Sequence, residues 1–283
     1  MFKILRKEVL ASSIKLIEVL APEIAAKAQP GQFVILRIDD KGERIPLTIA
    51  DFNRKKGFLT LIFQEVGRTT FDLGKLKEGD SILDLVGPLG RTSEIKKFGE
   101  VICVGGGVGV APLYPITRAL KEAGNKITSI IGARSEEFLI LTEEMKAVSD
   151  FLYIATDDGS AGRKGFVTDV LQGVIQGGAR PDLVIAIGPL VMMKAVSDLT
   201  RPHEIKTIVS LNPIMVDGTG MCGACRVSIG EETKFACVDG PEFDGHLIEW
   251  SIAELRSRMF QNEEKIAMQD CCSGGDCHCQ TQK

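Results

Sequence analysis

Val104-Gly-Gly-Gly-Val-Gly-Val-Ala-Pro112 is the stretch on which the reading of the fold turns. Ahead of it Val101 to Val104 is a short apolar β-type run, and behind it residues from about Ala111 to Ala123 carry helical spacing. Glycines between a strand and a helix let the backbone approach a pyrophosphate, while the helix N-terminus supplies free N–H groups and a positive partial charge. The run departs from the strict G-x-G-x-x-G spacing, and the same glycines would also serve to pack a strand against a helix. Gly105, Gly106, Gly107 and Gly109 are therefore candidate nucleotide-binding positions.

Toward the C-terminus the alternation continues. Strand-like Ile127 to Ile131, Phe151 to Ala155, Leu183 to Ile187 and Thr207 to Leu211 are separated by helix-like Glu143 to Val148, Val167 to Ile175 and Val191 to Leu199. Such alternation requires crossover helices and a parallel sheet, so residues 99–211 are expected to form a doubly wound α/β domain. Ligands on such sheets collect at the carboxyl ends of strands, which singles out Arg134, then Asp157 and Asp158, then Gly188. Arg134 lies 27 residues after Gly107, where an adenosine ribose is usually held. A cation there suits a 2′-phosphate and an acid suits NAD. With Glu136 and Glu137 beside Arg134, both choices stay open, as does a solvated loop.

Toward the N-terminus the pattern is different. Short β-type runs at Ser13 to Leu20, Gln32 to Ile38, Arg44 to Ala50, Phe58 to Glu65 and Ser81 to Leu85 are punctuated by Pro30-Gly31, Lys41-Gly42, Lys56-Gly57 and Gly87-Pro88. Even spacing of this kind predicts an antiparallel β-barrel over residues 1–98, with a helical stretch only near Phe71 to Leu76. Arg44-Ile-Pro-Leu-Thr48 puts a guanidinium and a hydroxyl on one strand, with Pro46 favouring an edge. Gly67-Arg-Thr-Thr70 opens the helical stretch and is a second place for backbone N–H groups to meet an anion.

Seven of the eight cysteines follow residue 220. Cys222-Gly-Ala-Cys225 and then Cys237 provide three thiols, and Asp217 stands five residues before Cys222. In the plant-type [2Fe–2S] spacing a cysteine occupies that place, so a carboxylate replaces the first thiolate. Three cysteines and an acid would also hold structural zinc. Residues 212–268 are expected to form the cluster domain and a terminal helix from Ile248 to Ile266. Residues 269–283, with Cys271, Cys272, Cys277 and Cys279, form a polar tail expected to lack order.

Composition excludes other classes. Lys plus Arg is 34 against 38 for Asp plus Glu, a formal charge of −4, and no basic run exists, so nucleic-acid binding has no electrostatic footprint. The most apolar stretch, Val101 to Ile116, is broken by glycine and proline and falls short of the roughly 20 residues that a membrane span needs. The first ten residues carry no apolar signal region, and a cytoplasmic location is expected. Three scattered histidines offer no catalytic triad.

Taken together, Pro30-Gly-Gln-Phe33, Arg44-x-Pro-x-Thr48, Gly67-x-Thr-Thr70, Gly87-Pro-Leu-Gly90, the Gly105 turn, Thr156-Asp-Asp-Gly159, Gly188-Pro189 and the cysteine set resemble ferredoxin–NADP reductase-like proteins carrying a terminal [2Fe–2S] domain. Within that family the order of motifs is similar to the electron-transfer subunit of dihydroorotate dehydrogenase and to the small subunits of sulfide dehydrogenase and of NADH-dependent ferredoxin:NADP oxidoreductase. Arg44-Ile-Pro-Leu-Thr-Ile-Ala-Asp51 and Asp217 favour the last, since the dihydroorotate-type subunit normally has four cysteines. The resemblance implies FAD on the barrel, held by Arg44, Pro46, Leu47, Thr48, Gly67, Thr69 and Thr70, with Thr48 near the flavin ring. It implies NAD(H) on Gly105, Gly106, Gly107, Gly109, Arg134, Asp157, Asp158 and Gly188, and a [2Fe–2S] cluster on Asp217, Cys222, Cys225 and Cys237. It also implies a larger flavin and [4Fe–4S] subunit as heterodimeric partner, and through it ferredoxin and NADP(H) in electron bifurcation. No protein side chain is then expected to act as a catalytic acid, base or nucleophile, because the cofactors supply the chemistry. The reading from a different class is a zinc-stabilised nucleotide-binding module without redox turnover.

Overall fold

The computed structural model describes residues 1–273. Its N-terminal third is an antiparallel sheet built from β1 (Phe2–Ala11), β2 (Ile14–Leu20), β3 (Phe33–Arg37), β4 (Ile45–Asn53), β5 (Phe58–Gln64), β6 (Ser81–Ile82) and β7 (Asp84–Leu89). Helices α1 (Pro22–Lys27) and α2 (Arg68–Lys75) are inserted between strands. The strand order is β6-β1-β2-β5-β4-β3-β7. β6 and β7 stand at opposite ends of that order, yet only Leu83 separates them along the chain. The sheet must therefore curl until its ends nearly meet, which makes it the expected barrel. Strand β1 is not among the β-type runs expected from the sequence, because its charged residues interrupt the apolar alternation.

Period-two alternation distributes the barrel's side chains between two interiors. In β3, Val34 and Leu36 enter the barrel core, while Phe33 and Ile35 enter a second core shared with the rest of the molecule. In β2 and β5, Ile17, Leu59, Leu61 and Phe63 point inward, while Ile14, Leu16 and Ile62 pack toward the α/β sheet. The barrel is thus a wall common to several cores.

The second sheet contains β8 (Glu100–Gly106), β9 (Lys126–Ala133), β10 (Phe151–Thr156), β11 (Arg163–Lys164), β12 (Leu183–Ile187) and β13 (Thr207–Ser210). Its helices are α3 (Val110–Glu122), α4 (Thr142–Ala147), α5 (Val167–Gln176) and α6 (Leu190–Thr200). The order β11-β10-β9-β8-β12-β13 is parallel throughout. The chain begins this sheet in its middle at β8, moves outward to β10 and β11, and returns to the other side of β8 with β12. That reversal leaves a crevice beyond the carboxyl ends of β8 and β12, the place where open α/β sheets bind ligands.

Then follow β14 (Arg226–Ile229), β15 (Glu232–Phe235), α7 (Ala236–Asp239), β16 (Glu242–Asp244), α8 (Trp250–Ser257) and α9 (Gln261–Ser273). β14 and β15 form a hairpin, and β16 joins the α/β sheet antiparallel to β13. Cys225, Val227, Cys237 and Trp250 share one core with Val196 and Val209, so this segment is packed onto the sheet. The single terminal helix expected over Ile248 to Ile266 is two helices, with Phe260 in the left-handed region at φ 65° between them. α8 is anchored by Trp250, whose indole N–H donates to Gly245 O at 3.1 Å, whereas α9 packs on α2 of the barrel. One straight helix could not reach both. Helix α9 carries the chain through Cys271 and Cys272 to Ser273, five residues into the expected tail; Cys277 and Cys279 lie outside the described residues. Among the described residues no helix is long and apolar enough to cross a membrane.

Candidate cofactor cleft and cluster loop

A cleft of about 830 Å³ runs between the barrel and the carboxyl ends of the parallel strands. One wall is Ile45 to Thr48 of β4. These residues pair with β3 on one side only, because pairing of β4 with β5 starts at Ile49. Their other backbone edge is left open along the cleft, and Pro46, which has no N–H to lose, fits such an edge. Pro46, Leu47 and Thr48 all line the cleft. Arg44 is exposed immediately before β4 and stands outside the lining.

At the start of α2 the threonine hydroxyls build the loop itself. Thr70 Oγ1 accepts from the Val66 and Gly67 N–H groups, each at 3.0 Å, and donates to Gly67 O at 2.9 Å. Buried Thr69 donates to Glu43 Oε2 at 3.3 Å. What this turn offers an anion is then backbone, the N–H groups of the first helical turn, which have no acceptor within a helix. Thr70 lines the cleft, and Gly67 and Thr69 stand behind it.

The opposite wall separates the glycines by purpose. A Cβ on Gly105 would meet Val110 Cγ2 at 2.9 Å and Leu113 Cδ2 at 3.0 Å, so that glycine lets α3 lie close on β8. Gly106 and Gly188 approach one another, with a Cβ on Gly188 falling 3.2 Å from Gly106 Cα. A Cβ on Gly109 would fall 2.7 Å from Gly188 Cα. These three bring the ends of β8 and β12 together. Gly107 differs: its φ is +55° and nothing lies within 4 Å of a Cβ built there. The packing explanation therefore covers most of the motif, and Gly107 presents free backbone to the cleft.

Arg134 and Asp157 line the cleft from the ends of β9 and β10. Asp158 is a turn residue outside the lining: its Oδ1 accepts from Ser160 N at 2.9 Å and from Ser160 Oγ at 2.7 Å, and these bonds hold its carboxyl below the usual range. Phe166, exposed at the head of α5, and Asn212 and Met215, from the segment leading to the cysteine loop, also line the cleft. No local pattern marks these residues, which belong to the site only through the approach of distant elements.

In the cysteine loop, Cys225 and Cys237 are buried with their sulfurs 3.2 Å apart, and Cys222 is exposed. Burial and the neighbouring Cys225 push the Cys237 thiol up to about 12. Two adjacent buried thiolates would repel, so ionising both calls for a cation between them. Asp217 closes the loop: its Oδ1 accepts from Thr219 N at 2.7 Å and its Oδ2 from Cys222 N at 2.9 Å, which holds its carboxyl low. Arg256 of α8 donates to Ala224 O at 2.8 Å, and its buried Nε lacks a hydrogen-bond partner among the described residues. A buried donor beside a thiol pair suits an anionic metal cluster. Among the described residues no three His, Cys, Asp or Glu side chains converge as a metal site does, so Cys222 and Asp217 share the loop with the Cys225–Cys237 pair without completing a ligand set.

Comparison with known proteins finds two family models. The oxidoreductase NAD-binding domain matches residues 103–198, and the iron–sulfur cluster binding domain of dihydroorotate dehydrogenase B matches residues 212–249. The dihydroorotate dehydrogenase B (NAD(+)) electron transfer subunit homolog of Thermotoga maritima is 49% identical over 94% of this chain and 93% of its own. The electron transfer subunit of dihydroorotate dehydrogenase B from Shouchella clausii is 37% identical over 76% of this chain and 85% of its own. A solved structure of NADH-dependent reduced ferredoxin-NADP oxidoreductase superposes with TM-score 0.91 at 47% identity, covering 96% of this chain and 98% of that one.

Proposed function

The chain belongs to the family of dihydroorotate dehydrogenase B-type electron-transfer subunits, and from that premise we propose that it is the NADH-side arm of a bifurcating NADH-dependent ferredoxin:NADP oxidoreductase. In this reading it holds FAD on the barrel, NAD(H) on the α/β domain and a [2Fe–2S] cluster on the cysteine loop. The observation that carries it is the single cleft shared by the open edge of β4, the free backbone of Gly107 and the segment leading into the cysteine loop. The 47% identity with the bifurcating enzyme's chain over 96% of this one supports that reading, against 37% over 76% for the dihydroorotate dehydrogenase B subunit of Shouchella clausii.

FAD bound there would link hydride exchange with NAD(H), a two-electron event, to the single electrons that an iron–sulfur cluster passes. The chain's own residues bind and orient. The open backbone edge at Leu47 and Thr48 would take the flavin ring's polar edge, while Arg44 and the backbone from Gly67 to Thr70 would take its pyrophosphate. Gly107 would admit the dinucleotide phosphates, with Gly105, Gly106, Gly109 and Gly188 shaping the turn and Arg134, Asp157 and Asp158 forming the ribose end. Asp217, Cys222, Cys225 and Cys237 would hold the cluster, and Arg256 would face its negative charge. A larger flavin and [4Fe–4S] subunit is the expected recipient of the electrons, in a cytoplasmic heterodimer.

The test is spectroscopic. The purified protein should show flavin and iron–sulfur absorbance, and NADH should bleach the flavin faster than NADPH in stopped flow. A colourless protein containing zinc would establish the non-redox module instead, and preference for NADPH would move the NADP site onto this subunit.

A further inference from the structure

We infer that the Asp51–Arg118 ion pair is a positioning element that fixes the nucleotide turn against the flavin-binding edge of β4. The inference rests on the reading of the cleft given above. Arg118 Nη1 donates to Asp51 Oδ2 at 3.1 Å and Nη2 to Asp51 Oδ1 at 2.7 Å, a two-pronged contact that defines direction as well as distance. Neither group moves freely. Asp51 Oδ1 also accepts from Phe52 N at 2.8 Å, and the Arg118 guanidinium lies 5.2 Å from the centre of the Tyr114 ring one helical turn back.

The pair's position gives it leverage. Asp51 is three residues beyond Thr48, where a register shift between Ile49 and Asp51 breaks the ladder with β5. A bulge re-aims side chains. Here it sends Ala50 into the core formed with Val110 and Leu113 of α3, and places Asp51 beside Arg118. On the other side, α3 begins at Val110, directly after the Gly107–Gly109 turn. Arg118 lies eight residues into that helix, about 12 Å at 1.5 Å per residue. One strand and one helix thus join the two cofactor walls through this contact. Loss of the contact leaves each wall intact and Ala50 packed on α3 but removes a directional tie between the walls, and a displacement of about 1 Å between reacting groups costs roughly a hundredfold in rate.

The experiment uses the holoprotein with its partner subunit and compares wild type, Asp51→Asn, Arg118→Met, Arg118→Lys and the double variant Asp51→Asn/Arg118→Met. Stopped-flow flavin reduction over a range of NADH concentrations separates the limiting rate from the dissociation constant. Amide hydrogen exchange reports on β4 and the first turns of α3 without any turnover. The limiting rate should fall roughly tenfold or more in Arg118→Met and Asp51→Asn, with NADH affinity and flavin content unchanged. The double variant should fall no further than either single variant, and Arg118→Lys should recover part of the loss. Exchange should rise in residues 45–51 and 110–118. An unchanged limiting rate, or unchanged exchange along that seam in Arg118→Met, overturns the inference, as does a loss explained wholly by released flavin. Wild-type flavin that NADH does not reduce would instead overturn the functional reading, and exchange would still decide whether the pair fixes the seam.

Discussion

Adding one methyl group at Gly107 or at Gly109 separates ligand space from packing space within a single turn. At Gly109 the new Cβ would lie 2.7 Å from Gly188 Cα and against the Ile187 carbonyl, both backbone atoms. Relief requires the ends of β8 and β12 to part, an overpacking loss of roughly 1–3 kcal/mol. For a chain of this size that lowers the melting temperature by roughly 2–5 °C. At Gly107 the Cβ meets nothing within 4 Å, so the cost comes from its φ of +55°. Left-handed backbone costs an L-residue about 1–2 kcal/mol, and the stiffer unfolded chain offsets about 0.4–1 kcal/mol, leaving a net loss near 1 kcal/mol. The methyl would however occupy the cleft where backbone must reach a phosphate. Loss of one charge-assisted hydrogen bond, about 1.5–3 kcal/mol, weakens NADH binding at least about tenfold. Thermal melting and NADH titration of both variants make the comparison. Gly109→Ala should melt low, and Gly107→Ala should melt near wild type but bind NADH poorly. Wild-type melting of Gly109→Ala together with wild-type NADH affinity of Gly107→Ala would refute the assignment of the two glycines.

Three further outcomes are expected. Arg44→Ala should release FAD on dilution and gel filtration, with affinity reduced at least about tenfold by loss of charge-assisted bonds of roughly 1.5–3 kcal/mol; stoichiometric retention contradicts the role. Asp217→Cys should retain the cluster with an altered visible spectrum and potential, Asp217→Ala should weaken or lose it, and deletion from Cys271 onward should leave it intact; the opposite pattern makes a tail cysteine the ligand. Glu242, in β16, accepts a hydrogen bond from Ser93 Oγ, and burial raises its carboxyl above the usual 4.5. A carboxyl harder to ionise folded than unfolded favours folding while protonated, fully below the unfolded value, and loses that contribution as pH rises through the folded value. Glu242→Gln should therefore melt higher than wild type at neutral pH, with the gap closing toward pH 4, whereas a gap independent of pH counts against a buried acid.

Local and periodic features are legible in the sequence alone. The glycine turn between an apolar run and a helical one, the β-type runs of the first hundred residues and the alternation after Gly99 are all contiguous along the chain, and they appear as β2 to β5, β8, α3 and the parallel sheet that follows. The cysteines and Asp217 are legible for the same reason, since their spacing lies along one loop. What the tertiary structure alone decides depends on pairings between distant segments. β16 is a strand because β13 lies beside it on the sheet side, and β1, which forms a hairpin with β2, is paired at its start by the distant β6. Gly107 is distinguished from Gly105, Gly106 and Gly109 only by what β12 and α3 bring near each, and Thr70 serves its own loop through bonds no composition predicts. The meeting of Asp51 with Arg118 spans 67 residues and requires both a bulge in β4 and the docking of α3. Sequence carries the preferences of neighbours along the chain, whereas contacts across it are settled only when separate hydrophobic faces, each satisfied by several possible partners, pack together in one arrangement.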